Sequence, residues 1–370
     1  MKKIAGVIIN SSNQLDLDAL VNHRSIHTIP IGGKYRLIDF PLSNLVNMEQ
    51  DLYVGVVGSY NYRSLVDHLK QGQDWNLSRK SNDLLILQGD RSAKIGQVSR
   101  ISIQDFVDNR EFFNKLSDDI EHIVLSGTNV VSNIDYRAIL DEHEASQADM
   151  TLLYKEQYNG EIQNKEVRLV VEGDDVKEII YGNDKRRDGE LFIDSLVINR
   201  SLFMQILDEA EKRGLVDFIE LVDQCLNDCT VKAYNVPGYV KIINSIQAYF
   251  DCSMDLLKCD VNKELFKQER KVYTKAKDNH PTVYGKEAKV KKALVASGAI
   301  VNGTIEESIV FRNATIHEGA KIKNSVIMQG AVVEKDAVVV NAILDKNAVV
   351  KQGEFITSTT KEPILIQKRS

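Results

Sequence analysis

Short aliphatic runs alternate with amphipathic stretches over the first 150 residues. The runs at 4–9, 52–57, 84–87 and 123–125 read as buried strands. Between them, 62–70, 103–115 and 136–146 carry apolar residues at helical spacing. This alternation predicts a mostly parallel, doubly wound α/β sheet. From residue 150 strand patterns dominate, at 150–154, 167–171, 176–180 and 191–198, and predict an antiparallel edge added to that sheet. Helical spacing returns at 200–212, 216–227 and 246–257. A polar, lysine-rich connection follows, to about Pro281.

The remaining residues obey another rule. Aliphatic residues recur every six positions, at Val310, Ile316, Ile322 and Met328, and again at Val332, Val338, Leu344, Val350 and Ile356. Small residues fall four places after several of them, such as Ala314 and Ala348. Glycines and asparagines punctuate the pattern at Gly298, Asn313, Gly319, Asn324, Gly330, Asn341, Asn347 and Gly353. A six-residue period is neither helix nor hairpin sheet. It predicts a parallel β-helix, each hexad forming one side of a triangular coil, with Gly and Asn at corners where positive φ is needed. The expected organisation is a Rossmann-like α/β domain over 1–245, a connecting helix and linker over 246–282, and a β-helix over 283–370.

Charge adds little. The chain has 47 basic and 53 acidic residues and a net charge of −6, which gives no general attraction to nucleic acid or an acidic membrane. No apolar run is long enough to cross a bilayer, and the run at 4–9 is too short for a signal-peptide core, so a cytoplasmic location is expected. The four cysteines, Cys225, Cys229, Cys252 and Cys259, read as buried free thiols rather than a zinc site. Trp75 reads as packing, and Lys185-Arg186-Arg187 as a solvated loop.

The most specific stretch is Pro30-Ile31-Gly32-Gly33-Lys34-Tyr35-Arg36-Leu37-Ile38-Asp39-Phe40-Pro41-Leu42-Ser43-Asn44. It joins a Gly-Gly loop to a basic pair and an apolar helix, with Asp39 placed to accept from backbone donors. The stretch resembles the ADP-glucose pyrophosphorylase (glucose-1-phosphate adenylyltransferase) family. So do 59–68, Ser126-Gly127, Asp135-Tyr136 and the segment around Ala248-Tyr249 and Met254-Asp255-Leu256. That resemblance implies a nucleotidyltransferase domain followed by a left-handed β-helix, and a reaction joining ATP and glucose 1-phosphate into ADP-glucose and pyrophosphate.

Such chemistry needs Mg²⁺ held by carboxylates and a glycine-rich loop around the triphosphate. The matching positions lack both. The family's glycine loop reads Asn10-Ser11-Ser12-Asn13-Gln14-Leu15, without glycine or arginine. Its phosphate-binding lysine falls on Ile26, and its two metal-binding aspartates on Thr128 and Ile242. Its sugar-phosphate motif has no clear counterpart near 180–183, and its nucleobase motif keeps only Gly96 in 90–97. This pattern resembles the non-catalytic glycogen-biosynthesis partner subunit found beside a catalytic subunit in many Gram-positive bacteria. The resemblance implies a regulatory chain without a cofactor of its own, Mg²⁺ being held in the catalytic partner. It implies homodimers alone and heterotetramers with the catalytic chain. An active nucleotidyltransferase with other ligands, Asp16, Asp18 and Asp194, is the alternative. A third reading is an effector site for phosphorylated metabolites near the domain junction, with His23, Arg24, Lys34 and Arg36 as candidates, against a reading of Arg24 and Arg36 as internal salt-bridge partners.

Overall fold

The computed structural model describes residues 3–10, 17–48, 51–58, 61–78, 83–89, 101–158, 166–181, 186, 188–214, 217–358 and 362–368. Its N-terminal part is built on nine strands: β1 Lys3–Ile9, β2 Leu52–Val57, β3 Asp83–Leu87, β4 Ile120–Gly127, β5 Met150–Lys155, β6 Arg168–Glu172, β7 Asp175–Ile180, β8 Glu190–Asn199 and β9 Val231–Asn235. They lie in the order β3-β2-β1-β4-β8-β5-β9-β7-β6. The first four are parallel, as the strand–helix alternation predicts. The expected antiparallel edge is present in β6 and β7, which pair antiparallel, with β7 also antiparallel to β9, but the antiparallel character reaches further in. β8 runs mid-sheet between β4 and β5, and everything from Leu191 to Ile198 is buried. Its run is apolar on both faces, which suits a strand covered on both sides.

One face of the sheet is covered by helices Asp39–Val46 and Tyr136–Ala145, through Leu42, Leu45, Ile139 and Leu140. The other is covered by Arg200–Arg213 and Phe218–Cys225, through Phe203, Ile206, Phe218 and Val222. Gly6 lets the first helix approach: a Cβ there would stand 2.8 Å from Leu45 Cδ1. The helical pattern at 103–115 forms two short helices instead of one, Ile103–Val107 and Arg110–Asn114. Asn109 sits at the break. Its Nδ2 donates to the carbonyls of Gln88 (2.6 Å) and Asp105 (2.7 Å), and its Oδ1 accepts from Gln88 N–H (3.0 Å). A side chain engaged with a neighbouring segment interrupts the local ladder.

Helix Ile246–Asp255 is capped by Ser245 Oγ, which accepts from Ala248 N–H at 3.0 Å. The polar connection beyond it contains a further helix, Cys259–Leu265. Val261 and Leu265, four apart, give it the buried side that its overall polarity hides. Cys252 is buried, Cys225 and Cys229 half-buried and Cys259 exposed, so burial holds fully only for Cys252. Trp75 is fully buried.

From Val283 three five-stranded parallel sheets form the faces of a β-helix. The inward stacks are Val301-Ile316-Val333-Val350, Ile305-Ile322-Val339-Ile356 and Val310-Ile327-Leu344-Ile366. Through the middle of the β-helix, from Thr304 to Thr357, successive coils are offset by seventeen residues, as in the Asn324–Asn341 contact. In those coils two sides take six residues and the third takes five. The strict six-residue pattern therefore slips: Ile327, Val333 and Val339 point inward where Met328, Val332 and Val338 were expected. The third sheet faces the N-terminal part. Ile309, Val326 and Ile343 join Phe40, Tyr249 and Leu256 in a shared apolar cluster.

Candidate functional site

Beyond the ends of β1 and β4, the chain brings Thr128 and Ile242 together. Thr128 N–H donates to Ile9 O (3.1 Å), and Ile243 N–H to Asn129 O (2.8 Å). Strands Val130–Ser132 and Val240–Ile242 pair antiparallel beside them. Both candidate positions are closed to solvent: Thr128 is 0 % exposed and Ile242 1 %. Among the described residues, Thr128 Oγ1 and both side-chain amide atoms of Asn129 have no hydrogen-bond partner. Mg²⁺ takes an octahedron of oxygen ligands, in which one or two protein carboxylates join waters and substrate phosphates. A hydroxyl and an aliphatic chain do not fit it.

Of the alternative ligands, Asp194 is buried on β8 in a left-handed conformation (φ 53°). It lies against Gly127, where a Cβ would stand 2.9 Å from Asp194 Cβ. Asp16 lies outside the described residues, as do the glycine-loop counterpart 11–15, the segments 90–97 and 182–183, and Lys185 and Arg187. Asp18 opens a one-turn helix, Asp18–Val21. No group of three or more His, Cys, Asp or Glu among the described residues is placed to hold a metal. Ile26 packs with Leu17 and Leu20 in the shared cluster. Next to it, burial pushes His27 down to about 3, with its Nδ1 2.7 Å from Ser25 Oγ.

A second constellation lies where the two parts of the molecule meet. Arg24 Nη2 bonds Asp345 Oδ1 of the β-helix at 2.6 Å, with side-chain exposures of 11 % and 8 %. Arg24 is thus an internal ion-pair partner. Arg36 is different. Only its backbone N–H is engaged, donating to Asp39 Oδ2 at 2.9 Å, while Asp39 Oδ1 lies 2.6 Å from His68 Nε2. The Arg36 guanidinium makes no ion pair among the described residues, and burial, then nearby Arg24, lowers its pKa against the pull of Asp39 and Asp67.

Lys34, Arg36, His68, Thr274, Lys275, Lys277 and Arg312 line one small cavity. There Thr274 Oγ1, His68 Nδ1 and Arg312 Nε have no hydrogen-bond partner among the described residues. Burial also lowers the pKa of Arg312 and Lys275. An adjoining cavity of about 520 Å³ is bordered by His23, Arg24, Arg36, Asp67, Lys346 and Lys368. Of the sequence candidates, Arg36 sits inside this cluster. His23 and Lys34 are exposed at its edges, Lys34 Nζ lying 4.8 Å from the Tyr35 ring centroid. Lys275, Lys277 and Arg312 were missed. They stand in a linker and a β-helix corner, where only charge, without spacing, could have marked them.

Two family profiles match the chain: nucleotidyl transferase over residues 17–162 and GlmU-like C-terminal hexapeptide over residues 276–362. The glycogen biosynthesis protein GlgD of Geobacillus stearothermophilus is 31% identical over 310 residues, covering 84% of this chain and 80% of that protein. GlgD of Bacillus subtilis (strain 168) is 29% identical over 311 residues, with 84% and 80% covered. A glucose-1-phosphate adenylyltransferase of Clostridium perfringens (strain 13 / Type A) is 27% identical over 322 residues, covering 84% and 79%. With likeness along most of its length, the chain belongs to the glucose-1-phosphate adenylyltransferase family, in the group of the GlgD glycogen biosynthesis proteins.

Proposed function

We propose that this chain is a regulatory, non-catalytic subunit of glucose-1-phosphate adenylyltransferase in bacterial glycogen biosynthesis, working in the cytoplasm. It assembles with a catalytic chain, as a homodimer alone and a heterotetramer with its partner, and Mg²⁺ is held only in that partner. The observation that carries this reading is the buried Thr128–Ile242 pair. By the family resemblance these are the positions at which two carboxylates would hold the metal–triphosphate. Loss of a single well-placed electrostatic contact removes roughly 3–4 kcal/mol of transition-state stabilisation. Here the metal carboxylates, the lysine and the glycines are absent together. The test is a pyrophosphate-release assay with ATP, Mg²⁺ and glucose 1-phosphate. The expected outcome is negligible turnover by this chain, and altered kinetics of the catalytic chain when both are present. Robust turnover by this chain alone would favour the alternative, an active nucleotidyltransferase relying on Asp194.

A second, compatible role is favoured by the cations lining the small cavity at the junction, which make no ion pair among the described residues. Arg36, with Lys275, Lys277 and Arg312 around it, supports binding of a phosphate-bearing effector there. Such an effector would bias how the two parts sit together. Calorimetry with inorganic phosphate and fructose 1,6-bisphosphate is expected to show saturable heat, lost in Arg36→Gln. No heat from the chain or its complex with the catalytic subunit would remove this role.

A further inference from the structure

The small junction cavity is lined by charge of one sign. Lys34, Arg36, Lys275, Lys277 and Arg312 border it, with His68 beside them, and no carboxylate does. Its volume of about 30 Å³ has room for little more than a water. It shares Pro30, Arg36 and Gln329 with the adjoining cavity of about 520 Å³, so a larger anion reaches the cluster from that side. There Lys346, Lys368 and His23 add positive charge, against Asp67 and Asp345. Asp345 is already bonded to Arg24, and Asp39, behind the cluster, to His68. Positive charge therefore prevails along both linings.

The lysines of the small cavity differ in what engages them. Lys275 Nζ donates to the Asp67 carbonyl. Lys34 Nζ lies over the Tyr35 ring. Lys277 borders the cavity yet remains exposed to solvent, and its Nζ makes no ion pair or hydrogen bond among the described residues. Partial burial, then the charges of Arg36, Arg312, Lys275 and Lys346, lower its affinity for a proton. Desolvation and cationic neighbours are the two means by which a lysine becomes a nucleophile. An anion-gathering recess and an accessible, unengaged amine thus stand side by side. An acyl phosphate, the mixed anhydride of a carboxylic acid and phosphoric acid, uses both. Its phosphate suits the cations, and its carbonyl carbon is an electrophile. A phosphate ester offers the same anion without that carbon, so it binds and does not react.

We propose that Lys277 is a modification site, acylated by small acyl phosphates held at this cation cluster. The neutral amine attacks the carbonyl carbon and a C–N bond forms. The bond from that carbon to the phosphate oxygen breaks, and inorganic phosphate leaves with the bonding pair. The proton lost by the amine passes to the phosphate or to water. The amide is neutral, so the cluster loses one charge and holds anions less tightly. The proposal rests on the reading of the cluster as an anion site, and its test separates the two. The full chain is incubated with acetyl phosphate, and acetylation of each lysine is followed in time by mass spectrometry. Lys277 is expected to react several times faster than Lys289 and Lys321, which are exposed on the second β-helix sheet. Inorganic phosphate should protect Lys277 alone, and Arg36→Gln or Arg312→Gln should bring its rate down to theirs. Circular dichroism and melting establish that these variants are folded, and either one suffices if the other is not. Lys277→Gln, which copies the lost charge, is expected to weaken phosphate binding by up to about fivefold in calorimetry, the worth of one exposed charge. Saturable phosphate binding with Lys277 acetylated no faster than Lys289 would overturn the modification and leave the effector reading standing. No phosphate binding together with uniform acetylation would overturn both. A preference for Lys277 that survives in the folded arginine variants would show that the cluster does not direct the reaction, and would sink the proposal.

Discussion

His27 shows what burial does to a single titratable side chain. Its ordinary pKa near 6.5 is pushed down to about 3, because a charged imidazole would lie in an apolar, solvent-free setting. As pH falls below 6.5 the unfolded chain takes up a proton that the folded chain refuses until about pH 3. Stability therefore drops across that window, at no more than about 1.4 kcal/mol per pH unit for this group. His143 acts in the same direction: burial lowers it, with Nδ1 2.8 Å from Thr151 Oγ1 and Nε2 3.1 Å from Asn199 Oδ1. Denaturant unfolding at pH 7 and pH 5 should show wild type losing about 1–2 kcal/mol more than His27→Gln. Equal losses would mean that His27 titrates normally. Sequence and structure diverge at this same scale. Thr128 and Ile242 are legible as departures from a motif, but their adjacency is the work of a two-stranded ladder between segments over a hundred residues apart. Arg36 was legible from the same motif. Its cationic neighbours were not, since Lys275 and Arg312 reach it only through tertiary packing.

At the scale of elements, periodicity predicted the kinds of structure well and their register less well. The β-helix was visible because every coil repeats the same demand for an inward aliphatic residue. Its register was hidden because consecutive valines, Val332-Val333 and Val338-Val339-Val340, satisfy that demand at more than one position. What selects among them is stacking on the coil above: Val333 on Ile316 and Val339 on Ile322. The five-residue side is also where Ser308 and Ser325 build an internal ladder. Ser308 Oγ accepts from Ser325 N–H at 3.1 Å, and Ser325 Oγ accepts from Ala342 N–H at 3.2 Å. Polar residues inside a coil thus replace hydrogen bonds that a shortened side leaves unmade. The broken helix at Asn109 has the same cause. Apolar spacing continues through it, but the amide finds a better partner in Gln88 than in the helix.

For the whole molecule, the decisive contact is that between the α/β part and the β-helix. An apolar cluster shared by Phe40, Tyr249, Ile309 and Val326 supplies adhesion without direction. The Arg24–Asp345 pair supplies direction, since a short bond between nearly buried charges tolerates little displacement. A buried pair of this kind adds little against an apolar replacement of both partners, yet removing one partner strands the other. Arg24→Met should therefore lower stability by about 3–5 kcal/mol, while Arg24→Met with Asp345→Leu should recover most of it. Melting of wild type, both single variants and the double variant measures this coupling directly. A single variant melting like wild type would show that the charges are solvated and the junction is held by apolar packing alone. If the cycle shows strong coupling, the junction is a stiff joint, and an effector bound at Arg36, as proposed above, would act on a geometry that the pair already restricts to one setting.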